Sequence, residues 1–229
     1  MSRIYISTSS PKDWRMFLAA PDRQWKQGYS AYELAHCWEN ANGFPREVGA
    51  LFTESPFLRF AEMDLLLALP ECEVPIPGGK RGSHNDLFVL AKDACGELVS
   101  IAIEGKVSES FGPMLSGWKR LFTTGKAERL AYLQSALNLP DNLPDTIRYQ
   151  LLHRTASALI MAHRFNAPSA AMIVHSFSPE KKGFEGYCDF VALYGVNAGA
   201  GELVRLTEAE GVELYVGWAT GVNSIPDSL

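Results

Sequence analysis

Two runs rich in Val, Ile, Leu and Phe flank one short polar segment. Asn85-Asp-Leu-Phe-Val-Leu90 precedes it, and Leu98-Val-Ser-Ile-Ala-Ile-Glu-Gly-Lys-Val107 follows it. Each run has the length and composition of a strand. The segment between them, Lys92-Asp-Ala-Cys-Gly-Glu97, has the composition of a hairpin turn. With the turn centred near Ala94 and Cys95, Asp86 falls opposite Ile103 or Glu104. The strand period of two puts Glu104 and Lys106 on one face. A plain hairpin therefore gathers an Asp, a Glu and a Lys at one end. Two acids across a ladder repel each other, and a bound divalent cation reverses the sign of that interaction.

The rest of the chain has an ordinary globular composition, with 47% hydrophobic and 21% charged residues. No apolar run approaches the roughly 20 residues of a membrane-spanning helix. Met1 to Ser7 lacks the apolar core of a signal peptide, so the expected location is cytoplasmic. Cys37, Cys72, Cys95 and Cys188 show no Cys-x-x-Cys spacing, which excludes a zinc knuckle or a dithiol redox motif. A net charge of −5 excludes a protein that coats nucleic acid by charge alone, while leaving room for a local basic groove.

Ser10-Pro11 with Asp13 predicts a helix start, with the helix ending before Pro21. Ser30-Ala-Tyr-Glu33 reads as a capping box opening a helix to about Ala41, which gives Glu33 a local role and leaves Glu39 without one. Phe57 to Leu69 reads as a helix or a helix–strand transition, and Glu71 to Ile76 as the first strand. The loop Pro77-Gly-Gly-Lys-Arg-Gly82 is no P-loop, because a strand follows it. Its Lys80 and Arg81 stand ready for an anion near Asp86. Helices are expected over about 113–122, 126–139 and 147–165, the last packed on a sheet. Gln150 and Arg154 share one face of it. Strands are expected at 170–175, 190–194 and 213–219. The tail from Asn223 is expected to be loose.

The Asn85-Asp86 and Glu104-Gly105-Lys106 elements resemble the signature of the PD-(D/E)xK phosphodiesterase superfamily. The order of helix, strand, strand with Asp, strand with Glu-x-Lys, crossover helices and strand resembles its restriction-endonuclease-like core. More closely, the chain resembles a group of bacterial proteins within that superfamily. Ser83 to Leu90, Ile103 to Val107 with Phe111-Gly112, Tyr149 to Ser157, Val174 to Pro179 and Leu214 to Trp218 carry that likeness. Asn stands before Asp86 where the signature has Pro.

The resemblance implies an α/β, three-layer fold with a central mixed β-sheet flanked by helices. It implies a single domain over residues 1–229 with an N-terminal helical extension. The implied activity is Mg²⁺- or Mn²⁺-dependent cleavage of phosphodiesters in nucleic acid, DNA first. Asp86, Glu104, Lys106 and Gln150 would be the catalytic residues. Asp86, Glu104, the Gly105 carbonyl and Glu39 would be the metal ligands. A homodimer is one assembly such a chain could form, and no membrane partner is expected. The competing reading is a catalytically inactive binding or assembly module on the same fold. A weaker third is hydrolysis of a non-nucleic phosphoester.

Other signals carry less. His175-Ser176 with Asp189 lacks a Gly-x-Ser-x-Gly elbow. His153 and His163 stand roughly 15 Å apart on one helix and cannot share an ion. Aromatic residues show no stacking platform along the chain.

Overall fold

The structure, a computed structural model, describes residues 4–223. The expectation of a loose tail from Asn223 therefore falls almost wholly outside it. Six strands form one sheet in the order β1-β2-β3-β4-β6-β5. They are β1 (Asp64–Val74), β2 (Ser83–Lys92), β3 (Leu98–Lys106), β4 (Ser169–Ser176), β5 (Leu203–Ala209) and β6 (Val212–Thr220). The pairs β1–β2, β2–β3 and β5–β6 are antiparallel; β3–β4 and β4–β6 are parallel. The helices are α1 (Pro21–Gln24), α2 (Ser30–Ala41), α3 (Arg46–Thr53), α4 (Leu115–Trp118), α5 (Thr124–Ala136), α6 (Tyr149–Phe165) and α7 (Phe184–Ala192). The fold is α/β with a mixed sheet between two helical layers.

Each face of the sheet has its own apolar core. On one face α2 and α3 set Leu34, Trp38, Val48 and Phe52 against Leu87, Val89, Ile101 and Ile103. On the other, α5, α6 and α7 cover Ala102, Met172, Val174 and Val216 with Leu133, Leu152, Leu159 and Phe190. The parallel β3–β4 step needs a crossover, and α4 to α6 provide it. No helix among the described residues is long and apolar enough to cross a membrane.

The hairpin forms as its composition predicts, with Leu87 paired to Ile103 and Lys92 to Leu98. Several other boundaries differ. Pro11–Phe17 is a 3-10 helix, closed by reciprocal Ser10 and Asp13 bonds. The helix at Ser30 is capped from Tyr29, and Glu33 instead accepts the Gly28 N–H at 2.8 Å. The first strand starts at Asp64 rather than Glu71, because Leu65 to Leu69 pair with β2. Phe190 to Tyr194 is no strand: Tyr187, Phe190 and Val191 repeat at helical spacing and bury one face of α7. The fifth strand lies instead at Leu203–Ala209.

Candidate metal and phosphodiester site

Three carboxylates meet at one end of β1, β2 and β3. The ladder between β2 and β3 closes at Leu87 and Ile103, so the next step sets Asp86 level with Glu104. Asp86 Oδ2 accepts the Gly105 N–H at 2.8 Å, so the side chain ends the ladder there. On the other side, Pro70 pairs with Leu87 and Cys72 with Asn85. Glu71, between them, is level with Asp86.

Glu71 has φ of 50°, a left-handed conformation that costs a non-glycine residue about 1–2 kcal/mol. It resets the strand. Leu67 and Leu69 before it share an apolar cluster with Cys72 and Val74 after it, which unbroken alternation would put on opposite faces. β2 shifts at the same level: the Asn85 side chain accepts the Ser157 hydroxyl of α6 at 2.7 Å, and Phe88 packs on Met161 of the same helix. The paired kink turns Glu71 and Asp86 into a cleft of about 760 Å³, which Arg81, His84, Glu109 and Arg154 also line. A more apolar hollow of about 510 Å³ lies beyond Glu71, walled by Ile6, Phe17, Pro70 and Ile76. The ionic chemistry is in the first cleft.

Glu104 is buried under a set of donors. Lys106 Nζ donates to its Oε1 at 2.5 Å and Gln150 Nε2 to the same oxygen at 2.7 Å. Arg154 Nε donates to its Oε2 in a very short bond. Another nitrogen of Arg154 stands 3.6 Å from Asp86. Lys106 Nζ also lies 5.0 Å from the centre of the Phe111 ring. Gln150 and Arg154 are one turn apart on α6, so a single helix face reads the whole cluster.

The electrostatics separate the three acids. Burial raises Glu71, and neighbouring Asp86 adds to the rise, bringing it to about 8. Burial and Glu104 push Asp86 upward, against the pull of Arg154 and Lys106. Burial would raise Glu104 too, but Arg154 and Lys106 outweigh it and hold the carboxyl low. Glu104 is therefore the ionised partner of the two cations. Asp86 keeps 21% of its side chain exposed, and with Glu71 it faces the cleft.

The structure thus brings together Asp86, Glu104, Gly105, Lys106 and Gln150. It does not bring Glu39 to them. The Glu39 carboxylate accepts the Trp14 indole N–H at 2.7 Å, in a separate hollow beside Trp38 and Pro70. The third acid is Glu71, which sequence reasoning missed. Its only sequence signal is its place after Pro70 in the run that leads to the hairpin. Arg154, noted only as a neighbour of Gln150, is the main counter-ion.

A family described as Domain of unknown function (DUF6946) matches residues 7–223. The chain belongs to that family. No curated protein and no solved structure matches it. The family match spans both flanking helical layers and the acid cluster, so the cluster lies within the shared domain.

A second group, Cys37, Glu47 and His175, has its ligand atoms within 4.8 Å of one another. Its hydrogen bonds argue against an ion. The Trp38 indole N–H points at His175 Nδ1 at 3.2 Å. Indole only donates, so Nδ1 accepts and the proton sits on Nε2. That proton is donated to Glu47 at 2.8 Å. An ion on Nε2 would force the proton to Nδ1, against the indole.

Proposed function

We propose that the protein is a metal-dependent phosphodiesterase acting on nucleic acid, DNA first. The observation that carries this reading is the convergence of Glu71, Asp86 and Glu104 from three adjacent strands, with Lys106 beside them and a cleft in front. The donor set is all oxygen, which suits Mg²⁺ or Mn²⁺. Two neighbouring carboxyls held toward their protonated forms are the arrangement a cation relieves. Asp86 and Glu71 would hold the ion from the cleft side, with Glu104 behind them. The Gly105 carbonyl lies on the same edge as the Gly105 N–H that Asp86 accepts. A bound divalent ion supplies Lewis acidity and a water of lowered pKa.

The chain's own residues supply the rest. Lys106 places a fixed positive charge next to the acids, where charge develops on phosphate oxygens. Gln150 fixes Lys106 and Glu104 together, with its Oε1 3.4 Å from Lys106 Nζ. Arg154 balances Glu104 and reaches Asp86. One such site cuts one strand, so scission of a duplex calls for a homodimer or two visits. The four thiols are unpaired, which fits a reducing cytoplasm.

A second reading, an inactive binding module, is favoured by one observation. Arg154 already neutralises the acid that a catalytic ion would share. One experiment separates the two. Plasmid and single-stranded DNA are incubated with Mg²⁺ or Mn²⁺, using wild type, Asp86→Asn and Lys106→Ala. The nucleolytic reading expects cleavage that EDTA stops and that each variant lowers about 100-fold or more. Cleavage that survives both substitutions would remove the assigned site. No cleavage with either metal would favour the binding module.

A further inference from the structure

Tyr149 precedes Gln150 on α6 and brings a second feature up to the acid cluster. Its ring stacks on Trp118, with centroids 4.2 Å apart and 16° between the planes. Inward, the His153 ring lies 4.8 Å from Tyr149. Outward, Phe122 meets the edge of Trp118 at 6.3 Å. The row starts near the site, where His153 Nδ1 is 2.8 Å from Ser83 Oγ and Ser83 accepts from Arg154. It ends in solvent, where Phe122 is 52% and Leu121 79% exposed. No window of sequence contains these rings together, which is why reading along the chain shows no platform.

Cations border the row. Lys126 Nζ lies 5.2 Å from the centre of the Trp118 ring and donates to the Trp118 carbonyl. Arg129 donates to the carbonyls of Ile76, Pro77 and Arg81, and its charge is felt at the Tyr149 hydroxyl. It clamps the 77–82 loop against α5 beside the stack. Gly78 allows that approach, since a Cβ there would fall 2.5 Å from the Arg129 backbone nitrogen. Lys80, Arg81 and Arg120 are exposed, and none of them enters an ion pair among the described residues. In a chain of net charge −5, exposed cations that no acid pairs are open to an anion. Arg81 also lines the cleft of Asp86 and Glu71, so the strip and the acids share a border.

We propose that this strip binds a single-stranded stretch of nucleic acid and leads it into the cleft. The bases lie on Phe122 and Leu121, beside the edge of Trp118; the phosphates meet Lys80, Arg81 and Arg120. Unpaired bases offer free π-faces to rings, and such stacking tolerates any sequence. A duplex buries those faces in its own stack and engages only the cations. A second copy of the chain fits this patch poorly. A two-fold contact through Leu121 and Phe122 would set Arg120 and its neighbours against their own copies. The strip's role in feeding a cleavage site rests on the nucleolytic reading above, but its occupancy can be measured without turnover.

The test is fluorescence anisotropy with a labelled strand of ~12 nucleotides, alone or as a blunt duplex. EDTA is present so that metal-dependent cleavage cannot occur. The expected result is binding of the single strand about tenfold tighter than the duplex, with quenching of tryptophan emission. The double variant Leu121→Ser, Phe122→Ser should weaken single-strand binding about tenfold at an unchanged melting temperature, and Arg120→Glu should do likewise. Equal binding of strand and duplex, no binding, or binding indifferent to these variants overturns the proposal. So does sedimentation showing a dimer that the double variant dissociates without loss of oligonucleotide affinity. Cleavage without single-strand preference removes only the strip. Binding without cleavage under any metal removes only the hydrolytic reading.

Discussion

Arg154 sets the charge balance of the acid cluster. Its side chain is 7% exposed and it faces Glu104 and Asp86, while Glu71 is near enough to feel its charge. Removing one partner from a buried ion pair leaves an uncompensated charge, at a cost of about 3–5 kcal/mol. For a chain of this size each kcal/mol moves the melting temperature by about 2–4 °C. Arg154→Met should therefore melt roughly 6 to 20 °C below wild type in EDTA. Added Mg²⁺ supplies positive charge to the same acids and stabilises whatever folded state it binds. Millimolar Mg²⁺ should raise the wild-type melting temperature by a few degrees and that of Arg154→Met by more. Differential scanning fluorimetry reads both. If Mg²⁺ and Mn²⁺ leave both proteins unmoved, the cluster holds no ion in the absence of substrate.

The β2–β3 hairpin shows how close the layers are at this site. Gly105 lies between Glu104 and Lys106, and strand alternation turns its missing side chain toward α2. A Cβ there would overlap the Leu34 Cδ1 methyl, with Leu34 Cγ at 2.8 Å and Ser30 Cβ at 3.2 Å. Gly105→Ala must push α2 away or bend β3, a strain of about 1–3 kcal/mol. It would also disturb the N–H that Asp86 accepts. The expected outcome is a lower urea midpoint together with weaker Mg²⁺ stabilisation. An alanine variant as stable as wild type would show that α2 yields freely there. The hairpin and its register were legible because period-two alternation and a Gly-containing turn are local signals. Lys106 and Gln150 were legible through spacing and resemblance. Glu71 was hidden because a left-handed residue inside a strand breaks the alternation that reading relies on. Glu39 was misplaced because its partner, Trp14, is 25 residues away and reaches it only through tertiary packing. Phe190 to Tyr194 looked like a strand because a short apolar run carries no period of its own. Only with Tyr187 included does the helical spacing appear.

On the scale of the whole molecule, acid stability depends on two histidines kept neutral on opposite faces of the sheet. Burial, with Arg154 adding, holds His153 down at about 3. Burial also lowers His175, against the opposing pull of Glu47. In the unfolded chain both titrate near 6.5. Below that pH the unfolded state binds protons that the folded state refuses, so stability falls as pH falls. The rate is at most about 1.4 kcal/mol per pH unit for each histidine. Glu71 and Asp86 act in the other direction. Their folded pKa values are raised, so the folded state takes up protons first and gains stability on acidification. The net slope of the wild type is therefore a partial cancellation, and the histidine part must be read as a difference. His153→Gln removes one of the two refused protons and leaves the acids in place. Urea unfolding between pH 6.5 and 5, above the range where Glu104 loses its charge, should show the variant gaining on wild type as pH falls, by about 1 kcal/mol per pH unit. A difference between the two proteins that stays constant across this window would mean that His153 titrates alike in the folded and unfolded chains.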